Sequence, residues 1–182
     1  AGGDLAAARA AFALDKGFVY LVNPRLPRVL DDYEEWLAGE PTTPDRFRHW
    51  VATEYVPYFY RAQIEAIDAP ARIRAGVATE LRVRVTNTSR HPIAFQSGRE
   101  RGVHLGAHLR PPGDADRTEL RAGFVDLELA PGAAPELTLP LPPIAEPGRY
   151  ELEVDLVDEG VKWFQHFGSQ PLTLPIEVAG AS

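Results

Sequence analysis

His104 and His108, with Arg110 two positions further on, are the residues whose types and spacing first suggest chemistry. They lie in the run Val103-His104-Leu105-Gly106-Ala107-His108-Leu109-Arg110, which alternates like a strand. Four strand residues at about 3.3 Å each would hold the two imidazoles roughly 13 Å apart. A zinc ion needs each ligand nitrogen within about 2.1 Å, so the pair cannot share one. The residues are instead expected on the wet face of a strand, where exposed imidazoles beside Arg110 could meet an acidic sugar or a phosphate.

Asp155, Asp158 and Glu159 raise the question of glycosidic hydrolysis. Two carboxyls must then face each other across a bond at about 5–9.5 Å, one with its pKa raised by burial. Asp158 and Glu159 are adjacent and run into Gly160, which reads as a turn. Ser89, Ser97, Ser169 and Ser182 lack a nucleophile-elbow context, and no phosphate-cradling loop is present. The chain has no Cys, hence no thiolate ligand, disulfide or cysteine nucleophile. Asn87-Thr88-Ser89 fits the glycosylation pattern but reads as a turn. No catalytic set survives, and the expectation is a non-enzymatic protein with no cofactor and no metal.

Trp163 and Phe164 are the aromatic pair of most interest. Consecutive strand residues point to opposite faces, so one is expected in the core and the other outward. An outward ring could stack on the apolar face of a pyranose, which makes Trp163 the leading ligand-binding candidate beside His104, His108 and Arg110.

The elements that must position these residues follow from periodicity, which changes near residue 62. Before it, spacing is helical. Asp4 could cap a helix over 5–14. Leu26, Val29, Leu30, Tyr33, Trp36 and Leu37 form one stripe, with Asp31, Asp32, Glu34 and Glu35 mostly opposite, until Gly39 and Pro41. Thr43-Pro44-Asp45 supplies an N-cap hydroxyl, Pro in the first turn and an acid by the dipole. Phe47, Trp50, Val51 and Tyr55 continue an apolar face. So much aromatic surface exceeds what short helices bury among themselves, which implies packing on the sandwich, a partner or another domain.

After residue 62 the period is two. Leu81, Val83 and Val85 alternate with Arg82 and Arg84; Leu152, Val154 and Leu156 alternate with Glu151, Glu153 and Asp155. Ile93 with Phe95, the segment from Phe124 to Leu129, Leu137 to Leu141, and Leu172 to Val178 supply further strands, separated by turn signals such as Pro131-Gly132. Seven or eight short strands of this kind predict an immunoglobulin-like antiparallel β-sandwich over 63–182, with a helical extension over 1–62. Within it, Asp155 is expected to face water.

Gly148-Arg149-Tyr150-Glu151-Leu152-Glu153-Val154-Asp155-Leu156-Val157-Asp158-Glu159-Gly160-Val161-Lys162-Trp163-Phe164 resembles the signature of C-terminal β-sandwich modules appended to bacterial glycosyltransferases and methyltransferases of surface-polysaccharide biosynthesis. It is also distantly similar to the sandwich that reads O-antigen on polysaccharide ABC transporters. Gly76, Leu81, Val83, Val85, Asn87 and Ser89 match the early strand of that pattern, and Pro131-Gly132 its turn. The resemblance implies an accessory module that binds carbohydrate or positions an enzyme.

Composition narrows the partners. The net charge of −7 and the absence of a Lys/Arg cluster exclude nucleic acid as the main ligand. No run reaches the roughly 18–20 apolar residues of a membrane span. The Ala-rich start carries Asp4 and no basic segment, unlike a signal peptide, and a cytoplasmic location is expected. A chain without Met that opens Ala-Gly-Gly reads as part of a longer protein. The partners consistent with these features are a glycan, a catalytic domain of the same parent protein, or a second copy of the chain. The competing classes are an interaction or oligomerisation domain and the C-terminal piece of a transferase.

Overall fold

The structure, a computed structural model, describes residues 26–55, 59–111, 113 and 117–180. The helix expected over 5–14 lies outside them. The chain forms two compact units, residues 1–58 and 59–182.

In the first unit, α1 (Leu26–Leu37) and α2 (Pro44–Thr53) carry the expected apolar stripes. The Thr43 side chain accepts from the Arg46 amide 3.2 Å away, capping α2 just before its N1 proline. Tyr33, Phe47 and Trp50 are buried, with ring centroids 4.6–5.9 Å apart. Two residues depart from the helical reading. Trp36 stays 39% exposed, stacked on Tyr33 with the Arg46 guanidinium 5.1 Å from its ring. Asp32 is buried, with the Tyr55 hydroxyl 3.4 Å from its carboxylate.

The second unit is a β-sandwich. One sheet holds β3 (Thr79–Asn87) between β1 (Ala62–Asp68) and β8 (Glu136–Leu141). The other runs β2 (Arg72–Arg74), β11 (Leu172–Ala179), β9 (Gly148–Asp158), β5 (Val103–Arg110), β4 (Ile93–Phe95), β7 (Leu127–Leu129). On this second sheet β6 (Thr118–Ala122) also pairs with β5, and β10 (Lys162–Trp163) with β9. Pairing is antiparallel except for β2 with β11 and β4 with β5, which are parallel.

The alternation sets the core. Leu81, Val83, Val85, Leu139 and Leu141 of the small sheet are buried, as are Leu105, Ala107, Leu152, Val154 and Leu156 of the large one. Each fully buried aliphatic side chain stabilises the fold by about 1.5–3 kcal/mol before entropy is subtracted. Pro140 lies in β8, which among the described residues pairs only with β3, so its missing N–H faces no described strand.

Asn87 ends β3 fully buried, which explains the Asn-x-Ser part of the early strand pattern. Its Nδ2 donates to the carbonyls of His91 and Leu129, each at 2.8 Å. Its Oδ1 accepts from the Ser89 amide at 2.9 Å and the Ser89 hydroxyl at 2.7 Å. The segment is a turn, as expected, but one locked into the sandwich and closed to glycosylation.

Candidate functional site: the outer face of the large sheet

The side chains of β5 alternate between the core and the outer face of the large sheet. His104, Gly106, His108 and Arg110 point outward, opposite Val157, Asp155, Glu153 and Glu151 of β9. On the other flank Gly106 pairs with Arg121 and His108 with Glu119 of β6.

This outer face is not uniformly wet. After β9 the chain turns at Gly160, whose φ of +73° suits glycine, and returns over the sheet as β10 and a short 3-10 helix, Phe164–Phe167. Phe164 goes into the core and Trp163 lies half-buried on the outer face, the opposite-face arrangement read from their adjacency. Trp163 rests on Gly106. A Cβ there would come within 2.6 Å of indole atoms Cη2 and Cζ3. The His108 ring centroid is 4.2 Å from the indole, and the Arg121 guanidinium stands 4.7 Å from its centre.

That cover corrects the expectation of exposed imidazoles. His104 is 0% and His108 1% exposed. Phe124 packs on His104 at 4.8 Å, and the His104 Nε2 donates to the Gln96 carbonyl at 3.0 Å. Its Nδ1 is 3.4 Å from Glu159 Oε1, the oxygen that also accepts from Arg121 Nε at 2.6 Å. His108 Nδ1 faces Glu153 Oε1 at 3.4 Å. Among the described residues, His108 Nε2 is the buried side-chain polar atom left without a hydrogen-bond partner, with Glu119 Oε2 3.7 Å away. Burial, and after it the charge of Arg117, lowers the His108 pKa from its ordinary 6.5, so the ring is neutral at pH 7.

The carboxylates also differ from their reading as wet or turn residues. Asp155 is 1% exposed because the 3-10 helix sits above it. Its carboxylate accepts from the backbone amides of Leu156 at 2.8 Å and Gln165 at 2.9 Å, anchoring the returning segment to the sheet. Burial pushes its pKa up to about 6, against the opposing pull of those two amides. Asp158 is buried at the end of β9 and accepts from the Tyr60 hydroxyl at 2.9 Å. Of the three, only Glu159 lies in the turn. Both oxygens of Asp155 are thus tied to backbone amides. No group of three or more metal-ligating side chains is placed to hold an ion among the described residues.

Trp163, His104, His108 and Arg110 are thus brought onto one face, but with unequal access. Trp163 and Arg110 reach solvent, while His108 is buried against the indole and His104 against Phe124. Further residues of the site are Arg121, Glu153 and Gln165, whose Nε2 donates to Glu153 Oε1 at 3.1 Å. Beyond Arg110 the face opens into a pocket of about 360 Å³ bounded by Arg110, Arg149, Glu151, Thr173 and Pro175. No described helix is long and apolar enough to cross a membrane.

No protein-family model and no curated protein matches this chain. Among solved structures it is similar to a β-glucosidase from Listeria innocua in complex with isofagomine, at 14% identity and a TM-score of 0.46. That likeness covers 66% of this chain and 16% of the enzyme, so the chain spans about a sixth of that protein's length. It is similar to the C-terminal domain of Wzt at 12% identity and a TM-score of 0.46, covering 66% of this chain and 72% of that domain. It is similar to the CARDB domain of the PF1109 protein from Pyrococcus furiosus, in complex with di-metal ions, at 15% identity and a TM-score of 0.39. There 67% of this chain and 93% of the domain are covered.

Proposed function

We propose that the sandwich is a non-catalytic carbohydrate-binding module that serves an enzyme of bacterial surface-polysaccharide assembly. The observation that carries this reading is Trp163, laid across Gly106 on an outer sheet face and fringed by polar groups that can reach sugar hydroxyls. A half-buried indole held by Gly106, His108 and Arg121 offers its solvent-facing part to the apolar face of a pyranose. Glu153 and Gln165 then supply donors and acceptors nearby, with Arg110 and Glu151 further along the strands, the composition of a small-molecule site. The Gly148-to-Phe164 signature supports the polysaccharide context.

The test is retention of the full chain on an array of bacterial oligosaccharides, wild type beside Trp163→Ala. Retention by the wild type and its loss in the variant support the module. An array blank for both abandons glycan binding in favour of an interaction domain.

A further inference from the structure

The pocket at the far end of the same face has a chemistry that Trp163 does not explain. Its two cations are poorly committed. The guanidinium nitrogens of Arg110 approach Glu151 and Glu153 no closer than 3.7 and 3.6 Å, beyond good hydrogen-bond length. Arg149, exposed on β9 two residues from Glu151, has no ion pair among the described residues. Two guanidiniums therefore line the pocket with the carboxylate of Glu151; Glu153 lies beside Arg110, Glu177 sits opposite Arg149 on β11 but pairs with Arg72 at 3.6 Å, and Thr173 and Pro175 bound the β11 side. Tyr150 also bounds this space, its OH donating to the Glu146 carbonyl at 3.0 Å.

We infer that this pocket takes the carboxylate of an acidic sugar, so that the ligand is an acidic oligosaccharide with one ring on Trp163 and a uronate at Arg110 and Arg149. The inference rests on the carbohydrate-binding reading and specifies its ligand. Guanidinium forks match a planar carboxylate in a way they do not match hydroxyls. Glu151 and Thr173 are suited to the neutral hydroxyls of the same sugar. The volume of about 360 Å³ lies inside the range of small-molecule sites, roughly 300–1,000 Å³. Register sets the length of the ligand. Arg110 and its partner Glu151 are four strand residues from Gly106 and Asp155, and Arg149 is six, so the pocket spans about 13–20 Å along the face from Gly106. One monosaccharide cannot span that distance. Several linked sugars can.

The test is calorimetric titration of the full chain with trigalacturonate and with its methyl ester. The proteins are wild type, Arg149→Gln, and the Arg110→Gln/Arg149→Gln double variant. Both side chains reach solvent, so thermal melts should be unchanged. The acid should bind roughly tenfold more tightly than the ester, through two charge-assisted contacts partly screened by solvent. The gap should shrink in Arg149→Gln, close in the double variant, and narrow in high salt. Equal binding of acid and ester, or an acid affinity untouched by the double substitution, overturns the inference. If trigalacturonate fails while neutral oligosaccharides are retained through Trp163, the acidic ligand is wrong and the carbohydrate-binding reading stands. If no glycan of either kind is retained, both fall.

Discussion

Gly106 of β5 and Trp163 of β10 are sterically matched: the indole occupies the space that a Cβ at position 106 would need. Adding that one carbon forces the ring off the sheet, together with its contacts to His108 and Arg121. Gly106→Ala should cost about 1–3 kcal/mol, the usual range for overpacking. In a double-mutant cycle with Trp163→Ala the two costs should not add, because the second change removes the clash. Additive losses in urea unfolding would show that the two residues do not touch.

Asp155 makes stability depend on pH in a direction opposite to most acids. Its pKa is about 6 in the folded protein against 3.8 for an ordinary aspartate. Near pH 7 both folded and unfolded chains carry it ionised, and the fold bears the cost of a buried charge. As pH falls through about 6 the folded state takes up a proton that the unfolded state does not yet bind. The contribution of this group therefore rises between pH 7 and pH 4, by up to about 3 kcal/mol. Comparing melts of wild type and Asp155→Asn over that range should show the difference between them changing with pH. A constant difference would mean that Asp155 titrates normally.

Asn87 should be a stability residue. Asn87→Ala removes four hydrogen bonds, two to the carbonyls of His91 and Leu129 and two from Ser89, while the His91 carbonyl keeps the Ser89 hydroxyl at 2.7 Å. At about 0.5–1.5 kcal/mol net for each hydrogen bond lost, a loss of at least about 2 kcal/mol is expected in denaturant unfolding. A loss below about 1 kcal/mol would mean that the turn holds without its side chain.

Much of this architecture is legible in local pattern. The cap at Thr43 and the buried Leu152, Val154 and Leu156 follow from spacing alone, as does the split of Trp163 and Phe164 between two faces. The wetness of the outer face is not legible in that way. His104, His108 and Asp155 occupy positions that alternation assigns to solvent, and they are dry only because residues far along the chain fold over them. Gly106 was the available signal, since a glycine inside a strand marks a close approach of something else. β6 passes unnoticed because Thr118-Glu119-Leu120-Arg121-Ala122 carries too few apolar residues to show a period. Asp32 is buried with Tyr55, just past the end of α2, as a partner, which a helical stripe does not encode.

The measurement that bears most directly on the glycan platform is the affinity of Trp163→Ala and Trp163→Phe for the oligosaccharide the wild type retains best. If the sugar stacks on the ring, alanine should weaken binding by at least roughly tenfold, or about 1.4 kcal/mol. Phenylalanine, which keeps an aromatic face, should stay within about threefold of wild type. Melts run beside the titrations separate this loss from unfolding, since a half-buried ring should cost less than the roughly 3–5 kcal/mol of a fully buried one. A folded Trp163→Ala protein that binds as tightly as wild type would contradict the platform outright.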